Sequence, residues 1–491
     1  MPSFVSGLAL WPLITVVELA ISVVALIYIP RGRKPTAAMA WLLLIFLTPF
    51  VGLALYLLIG NFRLPRKRRA AQERATAAIA ERADAGALTV GGDETNVPRW
   101  LQRVTHQNTS LTALPMVGGS RAQLLEDYQG SIDAMAEAID EARDYVHIQF
   151  YIVAWDHTTR GFFAAMERAV QRGVTVRFLA DHIASRRIPG AKDTFAELDR
   201  MGVQWSWMLP VRPLKGQYQR PDLRNHRKLV VIDGTHAFIG SQNLISRDYN
   251  AAKNIKRGLQ WQELVACLDG PVVAQVDAVF HSDWYFETGE VLGDSERVEA
   301  AALTTVDGDL QCQMVPSGPA YETEVNLRLF LALIHGAHER VIITSPYFVP
   351  NEAMIYAITS ACQRGLEVQL FVSELGDQGT VYHAQRSYYE TLLRAGVRIF
   401  LYPAPYILHS KHVSIDDDIA VIGSSNMDIR SFTLNAEMSL VVRGASFVSQ
   451  MREVEQRYRD AGRELTLDEW MSEPARSRFL DGVFRLTSAL T

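Results

Sequence analysis

Two long apolar runs open the chain, and a different periodicity takes over after them. Leu8–Ile29 carries one charge, Glu18, and Ala37–Ile59 carries none. As helices rising about 1.5 Å per residue, both are long enough to cross a hydrocarbon core of about 30 Å. Between them, Pro30-Arg31-Gly32-Arg33-Lys34-Pro35 leaves room only for a turn. The pattern therefore predicts a two-helix transmembrane hairpin within residues 1–65. No basic stretch precedes Leu8 and a second span follows, which argues against a cleaved signal peptide. The turn holds Arg31, Arg33 and Lys34, whereas Arg63, Arg66, Lys67, Arg68, Arg69 and Arg74 follow the second run. That imbalance puts the rest of the chain on the cytoplasmic side, with the Arg66–Arg69 cluster able to meet anionic headgroups.

Residues 66–95 are Ala/Glu/Arg-rich, predicting a helix to Ala85, then Gly86 and a Gly91-Gly92 linker. From Asn96 onward, amphipathic stretches alternate with short apolar, β-branched ones, the pattern of an α/β fold with a mixed sheet. The alternation is carried out twice. Ile139–Val153 echoes Ile334–Val349, and Gln171-Arg-Gly-Val-Thr-Val echoes Gln363-Arg-Gly-Leu-Glu-Val. Two pseudo-symmetric halves follow, 96–300 and 301–491, the second ending in a helical tail.

The repeat is strictest where the chemistry is. His226-Arg-Lys228 leads through Leu229–Ile232 to Asp233, then to Gly240-Ser241-Gln242-Asn243. His409-Ser-Lys411 leads to Asp416 and Gly423-Ser424-Ser425-Asn426 with identical gaps. The pattern H-x-K-x4-D-x6-G-S-x-N reads as strand, tight turn, strand. His and Lys two apart share one face of an extended chain. An imidazole beside an ammonium suits a phosphate: one attacks or shuttles protons, the other neutralises charge. A core His beside a surface Lys would explain one copy, but not two with matching gaps. The carboxylates Asp233 and Asp416 belong to the motif, although their pleat parity is opposite to that of the His and favours tying the turn together. Glu263 and Glu437 recur after each His, in stretches that read as strands.

Composition narrows the class without deciding it. The formal net charge is −5 and hydrophobic residues make up 48% of the 491, so bulk charge offers nothing to nucleic acid. The three cysteines are scattered, and no Cys/His or carboxylate set has metal-ligand spacing, so neither a metal nor another cofactor is expected. Repeat offsets place ten extra residues of the first half within 211–225. This segment carries Arg212, Lys215, Arg220 and Arg224, and it reads as a surface loop or as a flap over an anionic group.

The doubled motif resembles the phospholipase D superfamily, in which two such halves build one active site. The two N-terminal runs, the Ala40-Trp41…Pro49…Gly52…Tyr56…Gly60 pattern, Ser345-Pro-Tyr-Phe-Val-Pro350 and Gly423–Phe432 are similar to the bacterial cardiolipin synthase branch. The ending Arg485–Leu490 lacks an expected Pro. The resemblance implies a multi-pass protein of the bacterial inner membrane. It would transfer a phosphatidyl group from one phosphatidylglycerol to another through a phosphohistidine, with release of glycerol. His226, Lys228, His409 and Lys411 would be catalytic, with Asn243, Asn426, Ser241 and Ser424 around the substrate. An acidic residue would hold the second ring nitrogen of a His; His409 held by Glu437 is the expected pair, with Glu263 free to serve His226. His226 would be the nucleophile, helped by the basic 211–225 loop lowering its pKa, while a Glu partner would raise that of His409. A phospholipase D hydrolase or another phosphatidyltransferase would use the same residues. A nucleic-acid phosphodiesterase is disfavoured by the apolar N-terminus and net charge, and a non-catalytic scaffold would not need both motifs. The sequence is silent on oligomeric state.

Overall fold

The computed structural model describes residues 5–33, 35–60, 64–84, 97–215, 217–292, 306–321 and 323–486. Lys34, Arg63, the Gly91-Gly92 linker, the boundaries at 96 and 300 and the extreme C-terminus lie outside the described residues. The chain forms two compact units, Met1–Leu64 and Pro65–Thr491.

In the first unit the helix Val5–Tyr28 has an apolar stretch, Trp11–Tyr28, long enough to cross a membrane. The second apolar run is not one helix. It breaks into Pro35–Leu47, Pro49–Leu55 and a π-turn, Tyr56–Gly60. Thr48 leaves the helical region because the ring of Pro49 disfavours it there. Ala25, Ile29, Ala38 and Ile45 pack together, and Gly52 lets its helix approach the Ile45 backbone. The Arg33 guanidinium donates to the Gly60 carbonyl at 2.5 Å and to Tyr56 Oη at 3.2 Å.

The second unit begins with the helix Arg66–Asp84. Arg68 is not offered outward as the basic cluster suggested; it forms a bidentate pair with Glu287 at 2.8 Å. The strands that follow are β1 (Val117–Leu125), β2 (Tyr145–Phe150), β3 (Thr175–Asp181), β4 (Gln204–Met208), β5 (Leu229–Ile232), β6 (His236–Gly240), β7 (Gln260–Gln262) and β8 (Val265–Asp269). Then come β9 (Leu310–Ser317), β10 (Arg340–Thr344), β11 (Phe348–Val349), β12 (Glu367–Ser373), β13 (Arg398–Tyr402) and β14 (Tyr406–Leu408). The last are β15 (His412–Ile415), β16 (Ile419–Gly423), β17 (Met427–Asp428), β18 (Glu437–Arg443) and β19 (Arg463–Leu465).

Among the described residues, 15 of these strands form one mixed sheet, ordered β19-β13-β12-β10-β15-β16-β18-β9-β1-β8-β6-β5-β2-β3-β4. β2, β3 and β4 are parallel, and β2 passes antiparallel through β5, β6 and β8 to β1. β10, β12 and β13 repeat that arrangement, passing through β15, β16 and β18 to β9. The antiparallel pair β1–β9 joins the two runs. β2, β5 and β15 are buried along their whole length, and β10 is buried from Val341 onward, as apolar strands covered on both faces must be.

Candidate active site

Each motif folds as strand, tight turn, strand, with the turn residue in the left-handed region: φ is 51° at Asp233 and 47° at Asp416. A short carboxylate tolerates that conformation because it can bond locally. Asp233 accepts from the amides of Arg143, Asp144 and Tyr145, and Asp416 from those of His338, Glu339 and Arg340. Both therefore pin the helix-to-strand turn ahead of β2 or β10. They sit at the far ends of β5 and β15 from the His residues, where their contacts are with the backbone of the turns.

His226–Lys228 and His409–Lys411 lie just ahead of β5 and β15 rather than on them. What holds them extended is the opposite half. The amide of His226 donates to the Ala436 carbonyl at 2.8 Å, and the amide of Ala436 donates to Arg224. Likewise β14 pairs in parallel with β7, and the amide of His409 donates to the Gln262 carbonyl at 2.7 Å. Each H-x-K segment thus runs beside the residues that lead to the other half's glutamate.

The expected pairing is therefore exchanged. His226 Nδ1 lies 3.0 Å from Glu437 Oε2 and 3.0 Å from the Ser424 carbonyl oxygen. His409 Nδ1 lies 2.8 and 2.9 Å from the two Glu263 oxygens. These partners only accept, so Nδ1 carries the proton in each ring and Nε2 holds the lone pair. All four residues are buried. Burial lowers the His226 pKa and brings that of His409 down to about 4, and the glutamates offset this only in part. The expectation that its Glu partner would raise His409 fails because loss of hydration outweighs the pairing. Burial raises both glutamates, yet His409 and His226 outweigh it and hold the carboxyls below the usual range.

Lys228 and Lys411 each donate to the carbonyl of their own His at 2.5 Å. Burial takes Lys411 down to about 8 and Lys228 well below the usual lysine value. Lys411 bears electrostatically on His226, and Lys228 on His409. The two motifs make one site.

The serines serve the glutamates. Ser424 Oγ donates to Glu437 at 2.5 Å, while Ser241 Oγ donates to the Leu264 carbonyl at 3.2 Å and helps hold the Glu263 carboxyl down. The preceding glycines make this approach feasible: a Cβ at Gly240 or Gly423 would run into the carbonyl of Leu264 or Met438. Asn243 accepts from the Ile152 amide at 3.1 Å and donates to Tyr249 Oη at 2.8 Å, which commits its amide to the scaffold. Asn426 Oδ1 is buried without a partner among the described residues.

The cations of 211–225 do not set the His226 pKa. Arg224 is buried against Asp181 and the Leu209 carbonyl, Arg220 pairs with Asp222, and Arg212 and Arg224 bear on His182 instead.

Several neighbours were not read from the sequence. Tyr151 packs edge-on against His226 at 4.7 Å, and Tyr347 against His409 at 6.2 Å. Their matching positions in the internal repeat were the available signal. Tyr249 Oη is 3.2 Å from Glu263 Oε1. Arg227 donates to the Glu437 carbonyl and to buried Asp283, which also receives Gln149 and Asn225. A charge within the apolar helix Val272–Thr288 was the only hint of Asp283.

His147, Asp277 and His281 form a separate group whose ligand atoms lie within 4.8 Å. His147 Nδ1 and Asp277 Oδ1 are 2.7 Å apart, and the Arg177 guanidinium lies 3.3 Å from His147 Nε2. That spacing is a hydrogen bond, and a cation beside the other nitrogen suits a polar core network better than a metal.

A family model described as "Cardiolipin synthase, PLD-like domain" matches residues 135–284 and 330–458, one H-x-K in each segment. A second, "Phospholipase_D-nuclease N-terminal", matches residues 20–61. Cardiolipin synthase A of Pectobacterium atrosepticum is 30% identical over 485 residues, covering 98% of both chains. The cardiolipin synthase of Halalkalibacterium halodurans is 30% identical over 446 residues, 89% of this chain and 85% of that one. The phosphatidylserine synthase structure from Haemophilus influenzae shares the fold, with a TM-score of 0.60 at 13% identity over 80% of this chain and 100% of that one. Matched through both motif-bearing segments and along almost its full length, the chain belongs to the cardiolipin synthase family of phospholipase D-like phosphatidyltransferases.

Proposed function

We propose that this protein joins two phosphatidylglycerol molecules into cardiolipin and releases glycerol. Two pseudo-symmetric halves, 96–300 and 301–491, would supply the site, and the apolar helices of residues 1–65 would form a hairpin that keeps it at the cytoplasmic face of a bacterial inner membrane. His226 Nε2 attacks the phosphodiester and forms a phosphatidyl-histidine. His409 protonates the departing glycerol oxygen, then takes the proton from the hydroxyl of the second lipid. Lys228, Lys411 and Asn426 stabilise the negative oxygens of the five-coordinate phosphorus.

The observation that supports this reading best is the pair of exchanged His–Glu contacts, which leaves neither half complete alone. The bidentate Glu263 contact favours His409 as the residue that becomes cationic, since His226 shares Nδ1 between Glu437 and a carbonyl. A phosphodiester anion between the rings would lift both pKa values and let His409 hold the proton. One phosphodiester replaces another, so no nucleotide is consumed, and no step requires a metal. Activity is expected to survive EDTA; reproducible loss restored by one ion would overturn the metal-free chemistry.

Purified protein given labelled phosphatidylglycerol should yield cardiolipin and glycerol on thin-layer chromatography; phosphatidic acid alone would make it a hydrolase. His226→Ala and His409→Ala should each abolish the product. Rapid quench of the His409→Ala protein should trap the label on the peptide containing His226. Label on His409 in the reciprocal variant would reverse the roles.

A further inference from the structure

The helix Ala475–Arg485 is docked the wrong way round for a helix of a water-soluble surface. Its inward face is anchored by a carboxylate: Asp481 is 1% exposed and accepts from His383 Nδ1 at 2.6 Å and Arg386 Nε at 3.3 Å. Phe484 stacks on the His383 ring at 5.2 Å. The stripe one turn round is apolar and faces out. Phe479 is 70% exposed, Leu480 45%, Val483 41% and Leu486, just past the helix, 84%. A helix normally buries its apolar stripe and solvates its charges. Exposed Arg476 and Arg485 flank this stripe.

The same combination occurs on a second element. The short helix Ala252–Arg257 exposes Ile255 (58%) among the exposed cations Lys253, Lys256 and Arg257. Arg257 donates to the Gly376 carbonyl at 3.2 Å, in the turn leading to the helix Gly379–Arg386 that carries His383 and Arg386. That turn also holds Asp377, which receives Tyr347 Oη at 3.0 Å, and the Tyr347 ring packs against His409. Basic residues around outward apolar side chains suit a surface that is oily and negatively charged. The chain already carries an apolar helix able to cross a membrane, so a bilayer is at hand.

We infer that the helix Ala475–Arg485 lies in the plane of the membrane interface, with Phe479, Leu480, Val483 and Leu486 among the acyl chains and Arg476 and Arg485 on anionic headgroups. Together with Ile255 and its lysines it forms a second membrane contact, independent of the N-terminal helices, on the rim that leads to His409. The contact rests on surface chemistry alone, not on the reaction assigned above.

The test uses the full chain carrying Val483→Cys labelled with the environment-sensitive fluorophore NBD. Label on the native cysteines is measured on the unsubstituted chain and subtracted. The protein is reconstituted into phosphatidylcholine vesicles with or without phosphatidylserine, an anionic lipid outside the proposed substrates. The expected result is blue-shifted emission, quenched by doxyl-labelled lipid, stronger with phosphatidylserine and weakened by salt. Aqueous emission in both vesicles would overturn the inference. So would apolar emission untouched by doxyl lipid, which would mean that protein covers the stripe, and so would equal quenching in neutral vesicles. Phe479→Ser/Val483→Ser should lose several-fold in turnover of vesicle lipid and nothing on monomeric short-chain lipid. Equal loss on both substrates would point to a packing defect and count against the contact.

Discussion

At the scale of single residues, the two histidines are near-equivalents, and a tyrosine hydroxyl reaches the glutamate of only one of them. Tyr249 stands six residues after Asn243, and Phe432 stands six after Asn426. Tyr249 adopts φ of 60°, a costly conformation for a bulky residue, and delivers its Oη to Glu263. Phe432 offers nothing to Glu437, whose further partner is Asn435 Nδ2 at 3.4 Å. The extra donor drains negative charge from Glu263, so it weakens the support that Glu263 gives a protonated His409. Tyr249→Phe should therefore raise the His409 pKa and shift the limb of the pH–kcat profile that it controls to higher pH. A fall of a few-fold in kcat with KM unchanged should accompany the shift; an unaltered profile would make Tyr249 a packing residue. The His, Lys, Ser, Asn and Glu positions were all legible in the repeat. The Tyr249/Phe432 difference was equally visible but carried no meaning until the hydroxyl was seen to reach a carboxylate two elements away.

At the scale of elements, the strand–turn–strand reading held for β5–β6 and β15–β16, because β-branched runs around Asp leave little alternative. The broken second apolar helix was legible in Pro49, which the apolar length outweighed. The turn carboxylates yield a direct test. Asp233→Ala removes the acceptor of three backbone amides and should cost about 2–3 kcal/mol of stability, with the product still formed by whatever protein remains folded. Loss of activity at unchanged thermal midpoint would return Asp233 to the chemistry. A pH effect resides in β15 as well. Burial, aided by Arg452, brings His412 from 6.5 to about 3. The folded state thus refuses a proton that the unfolded chain accepts. The stability tied to His412 is fully present above pH 6.5 and is lost as pH falls towards 3. Asp428, raised to about 6 by burial, works in the opposite sense over part of that range. The comparison must therefore be with His412→Asn, whose thermal midpoint should decline less steeply on acidification. Parallel declines would exclude His412 as a contributor.

At the scale of the whole molecule, the repeat announced two halves but not how they meet. Sequence spacing assigns each Glu to the His of its own repeat, since only intra-repeat distances can be counted. The exchange arises because the segment before His226 runs beside Ala436 and β14 runs beside β7. Those contacts run between the two halves, which the β1–β9 pair joins into one sheet. Stability, unlike turnover, can read this pairing, because residues that act together in catalysis fail together whichever ones touch. His226→Ala takes the imidazole from Glu437 and leaves a buried carboxylate less fully compensated, a costly arrangement. Adding Glu437→Gln should therefore return part of the loss, a coupling of about 1 to 3 kcal/mol. Adding Glu263→Gln to His226→Ala should return nothing, since Glu263 still holds His409. The mirror set built on His409→Ala should couple to Glu263 and not to Glu437. Unfolding free energies from denaturant titration of the eight variants would measure both couplings. If each His instead coupled to the Glu of its own repeat, the exchanged site and the one-site chemistry built on it would fall together.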